Sequence, residues 1–318
     1  VASLKVIRKR IASVQSTQKI TRAMKMVAGA RLNKAQQRIT ELRPYADKTH
    51  AVLSAITAKS KGADTAPSGA LDSQPTPPEA LRDHPPDATH PLLVERAPRR
   101  ILLVVLTSDR GLCGAFNTNI NKRAERDRRE RIRAGQAVDL VVVGRKGRDY
   151  MARRDIPVLE YLPGIWDNLG LATAQRVGRA ALAPFDRGDA DAIYLVYNEF
   201  KSAMSQQVVV EPLLPVTATP AEVSAAGDQV RHIDFEFEPD ERALLGRLAP
   251  MYVDVSMLRA LYESQASELG ARMTAMEAAT KNAKEMLSSL TLQYNKARQA
   301  AITKELMEII GGSEALKE

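Results

Sequence analysis

Three regimes of apolar spacing follow one another along the chain. Over residues 1–60 a seven-residue period places Leu4, Ile11, Gln18, Lys25, Leu32 and Ile39 on one heptad position and Ile7, Val14, Thr21, Ala28, Ala35 and Leu42 on its partner. Only Gly29 and Pro44 interrupt this stretch, which predicts a long N-terminal helix. Its seam is apolar at the ends and polar or small in the middle. A second apolar row, Ile20, Met24 and Val27, flanks the polar patch and is expected to take over the contact as a straight helix drifts against a strict heptad.

Residues 61–98 then drop every period. They are rich in proline and poor in large apolar residues, and read as a linker or surface insertion. From Arg99 the period shortens. Continuous aliphatic runs at 101–108, 139–144, 156–162 and 192–200 predict buried strands, and amphipathic stretches at 115–134, 146–153 and 172–186 predict helices between them. Such alternation over 99–216 signals an open, largely parallel sheet, with QQVVVEPLLPV as a further, antiparallel strand.

After a connection at 217–239, residues 240–318 return to helix. As continuous helix, 251–310 alone would span about 90 Å, too long for a compact domain of this size. Tyr262, Leu269, Met276, Ala283, Leu290 and Ala297 share one heptad position; Ala266, Met273, Thr280, Leu287, Tyr294 and Ala301 share the other. The fold class is therefore α/β: a long antiparallel coiled coil of N- and C-terminal helices, standing on a Rossmann-like open α/β domain as its foot.

Charge refines this picture. The chain carries +8, but residues 1–60 hold thirteen Lys and Arg against Glu41 and Asp47, whereas 251–318 is nearly neutral. A basic first helix suits either a nucleic-acid face or a shaft inside an acidic protein sleeve. The cations are dispersed and lack interleaved aromatics, which disfavours a nucleic-acid-binding protein with a coiled-coil arm. No apolar run reaches 18 residues and no secretory h-region opens the sequence, so neither export nor membrane insertion is expected. A lone cysteine, Cys113, excludes an internal disulfide.

Candidate chemistry is sparse. SDRGLCGAFN lies where a strand meets a helix, the place where glycines let a backbone approach phosphate. Gly111 and Gly114 do not complete GxGxxG, no GxxxxGK[ST] occurs, and no acidic residue follows at the ribose position. Asp109 and Arg110 are instead expected to stabilise the turn or touch another subunit. GRKGRDY at 144–150 has the same reading. The four histidines stand at no metal spacing. No catalytic centre, cofactor or metal is expected.

Three separated segments carry a family resemblance: IASVQSTQKITRAMKMVAGARLNKAQ near the start, the SDRGLCGAFN turn, and LQYNKARQAAITKELMEIIGGSEA near the end. Together they resemble the gamma chains of bacterial F-type ATP synthases. The family's C-terminal pattern is met by Ile302, Thr303, Glu305, Glu308 and Gly312 and departs at Ser313. The resemblance implies a rotor shaft without catalysis of its own, present once per complex. It would stand in the hexameric ring of alpha and beta subunits, with its foot on the c-ring beside the epsilon subunit. The complex would sit at the cytoplasmic face of the inner membrane, coupling proton flow to ATP synthesis. It further implies shaft contacts to the ring at Met24, Lys25, Glu268, Arg272, Arg298, Gln299, Thr303 and Glu305. The polar seam then has two readings: a slim polar surface for a bearing that must slip, or merely permissive positions. The 61–98 stretch is unmatched, and is expected as a loop on the foot that limits rotation or touches epsilon.

Overall fold

The computed structural model describes residues 4–63, 91–93, 96–216 and 241–315. Most of the proline-rich stretch and the 217–239 connection lie outside the described residues. In chain order the elements are α1 (Leu4–Ala63), a 3-10 turn (Pro91–Leu93), β1 (Arg100–Leu106), α2 (Phe116–Arg133), β2 (Ala137–Val143), α3 (Arg145–Ala152), β3 (Glu160–Leu162), α4 (Leu171–Asp186), β4 (Ala192–Phe200), β5 (Gln206–Leu214) and α5 (Glu241–Ala315). The fold class is the one read from the sequence.

Five strands form one sheet in the order β3-β2-β1-β4-β5. β1 pairs in parallel with β2 and β4, β2 in parallel with β3, and β5 closes the edge antiparallel to β4. Successive side chains of β1 point to opposite faces, as strand geometry requires. Ile101, Leu103 and Val105 meet Phe116 and Ile120 of α2 and Met151 of α3 on one side. Leu102, Val104 and Leu106 meet Val177 and Phe185 of α4, and Val253, Met257 and Leu261 of α5, on the other.

The lower part of α5 is thus a core layer of the foot, and only its upper part is free shaft. Leu92 and Leu93, which composition had placed in the linker, are buried in that same core. Proline content marked the segment as irregular, and irregular backbone still buries apolar side chains where the core offers room.

Above the foot, α1 and α5 run antiparallel. Residues facing each other sum to a nearly constant number: Arg8 with Tyr294, Thr21 with Thr280, Lys25 with Glu277 and Arg43 with Glu263. On α1 no position of the heptad row is exposed: Ile7, Thr21, Ala28, Leu32, Ala35 and Ile39 are buried, and the other six are half-buried. The expected second row does not take over: Met24 is half-buried, but Ile20 and Val27 are more than half exposed. A heptad seam that stays buried over this length means the helices wind around each other, and the winding absorbs the drift that would have rotated the second row inward.

Candidate functional site: the shaft and its seat on the foot

At mid-shaft the seam is polar. The hydroxyls of Thr21 and Thr280 lie 2.8 Å apart, and the Lys25 ammonium donates to Glu277 Oε1 at 2.6 Å. Higher up, Arg8 donates to the Tyr294 hydroxyl at 2.7 Å. Gly29 lets the helices close: a Cβ there would stand 3.5 Å from the Met273 sulfur. The outer surface is less polar than the slim-bearing reading expects. Ile20, Met26 and Val27 are exposed on α1, and from Ile302 to Ser313 every residue of α5 is exposed, including Leu306, Met307, Ile309 and Ile310. Contiguous exposed apolar surface is the kind that proteins cover with a partner.

The seat is built where α5 crosses the carboxyl ends of β1 and β4. Strand order reverses between these neighbours, and in open α/β sheets the crevice at such a point holds the ligand. Here the shaft helix itself occupies it. Ser267 Oγ donates to the Asn198 carbonyl of β4 at 3.0 Å, and Ser264, three residues earlier, is buried against the Leu106 carbonyl of β1. Gly270 continues the row, its missing Cβ leaving room for the Ala203 backbone at 3.2 Å. Leu32, Ala35 and Ile39 of α1 join Ala266, Leu269 and Phe200 in a small core at this three-way junction.

Charged groups lock the same joint. Arg272 donates to Glu268 Oε2 at 3.0 Å and to the Gly111 carbonyl at 3.2 Å, tying α5 to the β1–α2 turn. Burial pushes the Glu268 carboxyl up from the ordinary carboxylate range, and the Arg272 charge opposes the rise. On the opposite flank Arg259 of α5 pairs with Glu211 of β5, which also accepts from the buried Tyr197 hydroxyl of β4. Burial, then the Glu211 charge, push that hydroxyl well above the usual tyrosine range. Glu263 faces Arg43 of α1 at 3.6 Å, and its Oε2 is buried without a hydrogen-bond partner.

The glycine motifs serve packing. Gly144 has φ +91°, and a Cβ there would lie 2.1 Å from the Thr107 carbonyl oxygen. Thr107 Oγ1 accepts from the Gly147 N–H at 2.8 Å, so GRKGRDY is the mould around one threonine. In SDRGLCGAFN, Ser108 N–H donates to Asn117 Oδ1 at 2.9 Å, and Ser108 Oγ donates to the Arg110 carbonyl at 2.6 Å. Asp109 Oδ1 accepts from the Arg145 N–H at 2.8 Å and so fixes the start of α3. Arg110 is exposed and makes no ion pair with Asp109. Gly114, at φ +56°, stands against Ala271 and Ala275 of α5. Among the described residues no cluster of His, Cys, Asp or Glu is arranged for a metal, and no helix is long and apolar enough to cross a membrane.

The residues expected to touch a ring divide into two groups. Arg298, Gln299, Thr303 and Glu305 are exposed on the upper part of α5, Lys25 is partly exposed beside Glu277, and Met24 is half-buried on α1. Glu268 and Arg272 do share one helix face, but it is turned onto the foot, with side-chain exposures of 12% and 14%. Spacing gave their common face and could not say which body it met. The seat residues Ser264, Ser267, Arg259, Glu211 and Tyr197 escaped the sequence reading. Their one signal is the row of small residues Ser264, Ser267 and Gly270 at three-residue spacing, which marks a helix face pressed close to backbone.

The sequence model of the ATP synthase family matches residues 3–316. The chain is 66% identical to an ATP synthase gamma chain of Sorangium cellulosum and 46% identical to one of Anaeromyxobacter, each alignment covering 99% of both chains. Among solved structures it resembles a chain of the central stalk and c-ring of Tetrahymena thermophila mitochondrial ATP synthase, at 26% identity with a TM-score of 0.56 over 82% of this chain and 99% of that one. A chain in the rotor of Euglena gracilis mitochondrial ATP synthase shares the fold, with a TM-score of 0.61 at 19% identity over 94% and 98% of the two chains.

Proposed function

The chain belongs to the ATP synthase gamma chain family, and from that premise we propose that it is the central rotor shaft of a proton-translocating F-type ATP synthase. In this role it is one copy per complex and catalyses nothing itself. The upper coiled coil stands in the hexamer of alpha and beta subunits, and the foot rests on the c-ring with the epsilon subunit beside it. The complex lies at the cytoplasmic face of the bacterial inner membrane. Rotation presents different faces of an asymmetric shaft to each beta subunit in turn, and a protein with several states follows whichever state is contacted best. Angle thereby becomes nucleotide affinity, and ATP hydrolysis drives the same cycle backwards.

One observation carries the reading: α5 is both a layer of the foot's core and half of the shaft. Torque entering at the foot reaches the shaft through a single continuous helix, with no flexible joint between them. The exposed apolar end at 302–313 and the exposed Arg298, Gln299, Thr303 and Glu305 supply surface for the ring, with Met24 and Lys25 lower down. Glu268 and Arg272 act through the seat.

Purification of the tagged chain from its own membranes tests the proposal. Alpha and beta subunits with ATPase activity should accompany it, and inverted vesicles should pump protons on ATP addition. Recovery of the chain with nucleic acid that moderate salt strips away, and without ATPase subunits, would overturn it.

A further inference from the structure

α5 fills the crevice over β1 and β4 only in part. Beside it, walled by α1, the β1–α2 turn and the β3–α4 loop, a cavity of about 400 Å³ remains. Five cations converge on it from three elements: Arg31, Lys34 and Arg38 from α1, Arg110 from the turn and Arg272 from α5. Three carboxylates face them, and two are already engaged. Glu268 holds Arg272 and its charge also acts on Arg110 and Arg31, and Asp109 accepts the Arg145 N–H, which leaves Asp167; three carboxylates still fall short of five cations. Arg38 lies over the Tyr262 ring. Arg31, Lys34 and Arg110 make no hydrogen bond or ion pair through their side chains among the described residues.

Cations gathered around one cavity without matching counter-charge repel each other, and an anion between them removes that cost. The location is the carboxyl end of β1 at the reversal of strand order, where open α/β sheets take ligands. We propose that this cavity binds a phosphate-bearing anion, held by Arg31, Lys34 and Arg110. A group with several charged oxygens accepts from several converging donors at once, and arginine forks fit phosphate in paired hydrogen bonds. The volume accommodates inorganic pyrophosphate or the phosphate end of a nucleotide. Since Arg31 and Lys34 belong to the shaft and Arg110 to the foot, the bound anion clamps the two together.

The chain contains one tryptophan, Trp166, and it lines this cavity, with its indole N–H donating to the Thr107 carbonyl at 2.7 Å. Its fluorescence is a built-in reporter. The purified full chain is titrated with sodium pyrophosphate and, separately, with ATP, ionic strength being held constant with sodium chloride. Equilibrium dialysis against radiolabelled pyrophosphate runs in parallel. Saturable binding with half-saturation below about 1 mM is expected. Arg31→Ala and Arg110→Ala should each raise that concentration about fivefold or more, while Arg126→Ala, on the exposed surface of α2 outside the cavity, leaves it unchanged. Equal affinity for the two probes identifies the phosphates as what is recognised, and tighter ATP binding identifies a nucleotide; either supports the site. Absence of saturable binding of either probe up to about 10 mM overturns it. So does equal weakening by Arg126→Ala and Arg110→Ala, or saturable binding of a polyglutamate peptide alone, which would assign the cavity to an acidic protein segment.

Discussion

The hydroxyls of Thr21 and Thr280 meet at 2.8 Å in the middle of the shaft, and together they hold two protons for three acceptors. Thr21 Oγ1 also lies 3.1 Å from the Gln18 carbonyl, and Thr280 Oγ1 lies 2.7 Å from that of Met276. At any moment one hydroxyl bridges the helices while the other donates within its own turn. The bridge contributes register at little cost in stability, because breaking it strands no buried donor.

Thr21→Val should therefore cost about 1 kcal/mol or less, since Thr280 keeps its acceptor on Met276. Thr21→Val with Thr280→Val should cost no more than the single change. Urea unfolding of the full chain followed by helical circular dichroism measures both. Losses that add fully would mean the hydroxyls act independently.

The seat should respond differently. Arg272→Ala removes the partner of a buried carboxylate and a donor to Gly111, and breaking a buried ion pair from one side costs about 3 kcal/mol or more. Arg272→Met combined with Glu268→Gln removes both charges and should restore over half of the loss. Unfolding midpoints of the parent and the two variants decide the matter: a double variant as weak as Arg272→Ala would show that the Gly111 contact, and not the stranded charge, carries the effect.

Glu263 gives the pH dependence. Burial raises its carboxyl above the ordinary range, so the folded chain holds this proton more tightly than the unfolded chain. Protonation thus favours folding. The contribution is present below the unfolded value near 4.5 and is lost as pH rises through the higher folded value. Glu263→Gln fixes the neutral form. It should be more stable than the parent at pH 7, with the gap closing toward pH 4.5. Stability curves across that range check the sign, and a variant weaker than the parent at pH 7 would show that attraction to Arg259 and Arg43 outweighs burial.

What could be read in advance follows from which patterns have one physical meaning. A heptad repeat fixes a seam whatever its partner, so Leu32, Ala35 and Ile39 on α1 and Ala266, Leu269 and Met276 on α5 were legible as buried. Continuous aliphatic runs likewise marked β1 and β4 as buried strands, while their place in the sheet order came from the fold. The lower part of α5 was not legible as foot, because apolar positions such as Val253, Met257 and Leu261 look the same whether they face a helix or a sheet. Ile20 and Val27 misled because the drift of a straight helix is cancelled by winding, which no single helix displays. Gly144 resembled a phosphate-loop glycine, and only the Thr107 carbonyl pressed against it reveals its purpose.

Arg298 and Glu305 separate function from fold. Both are exposed on α5 and neither has a hydrogen bond or ion pair within the described chain, so Arg298→Ala and Glu305→Ala should change stability by no more than about 0.5 kcal/mol. Assembly with the alpha and beta subunits should be intact. If these side chains transmit force to the ring, ATP-driven proton pumping should fall several-fold relative to ATP hydrolysis in the same vesicles, because the shaft then turns with less differential contact per step. Arg8→Ala serves as the control: it removes the Tyr294 contact inside the shaft, and should lower stability slightly without changing that ratio. Vesicles in which Arg298→Ala and Glu305→Ala leave the pumping-to-hydrolysis ratio unaltered would place the force-bearing contacts elsewhere on the shaft, with the exposed apolar end from Ile302 to Ile310 as the next surface to truncate.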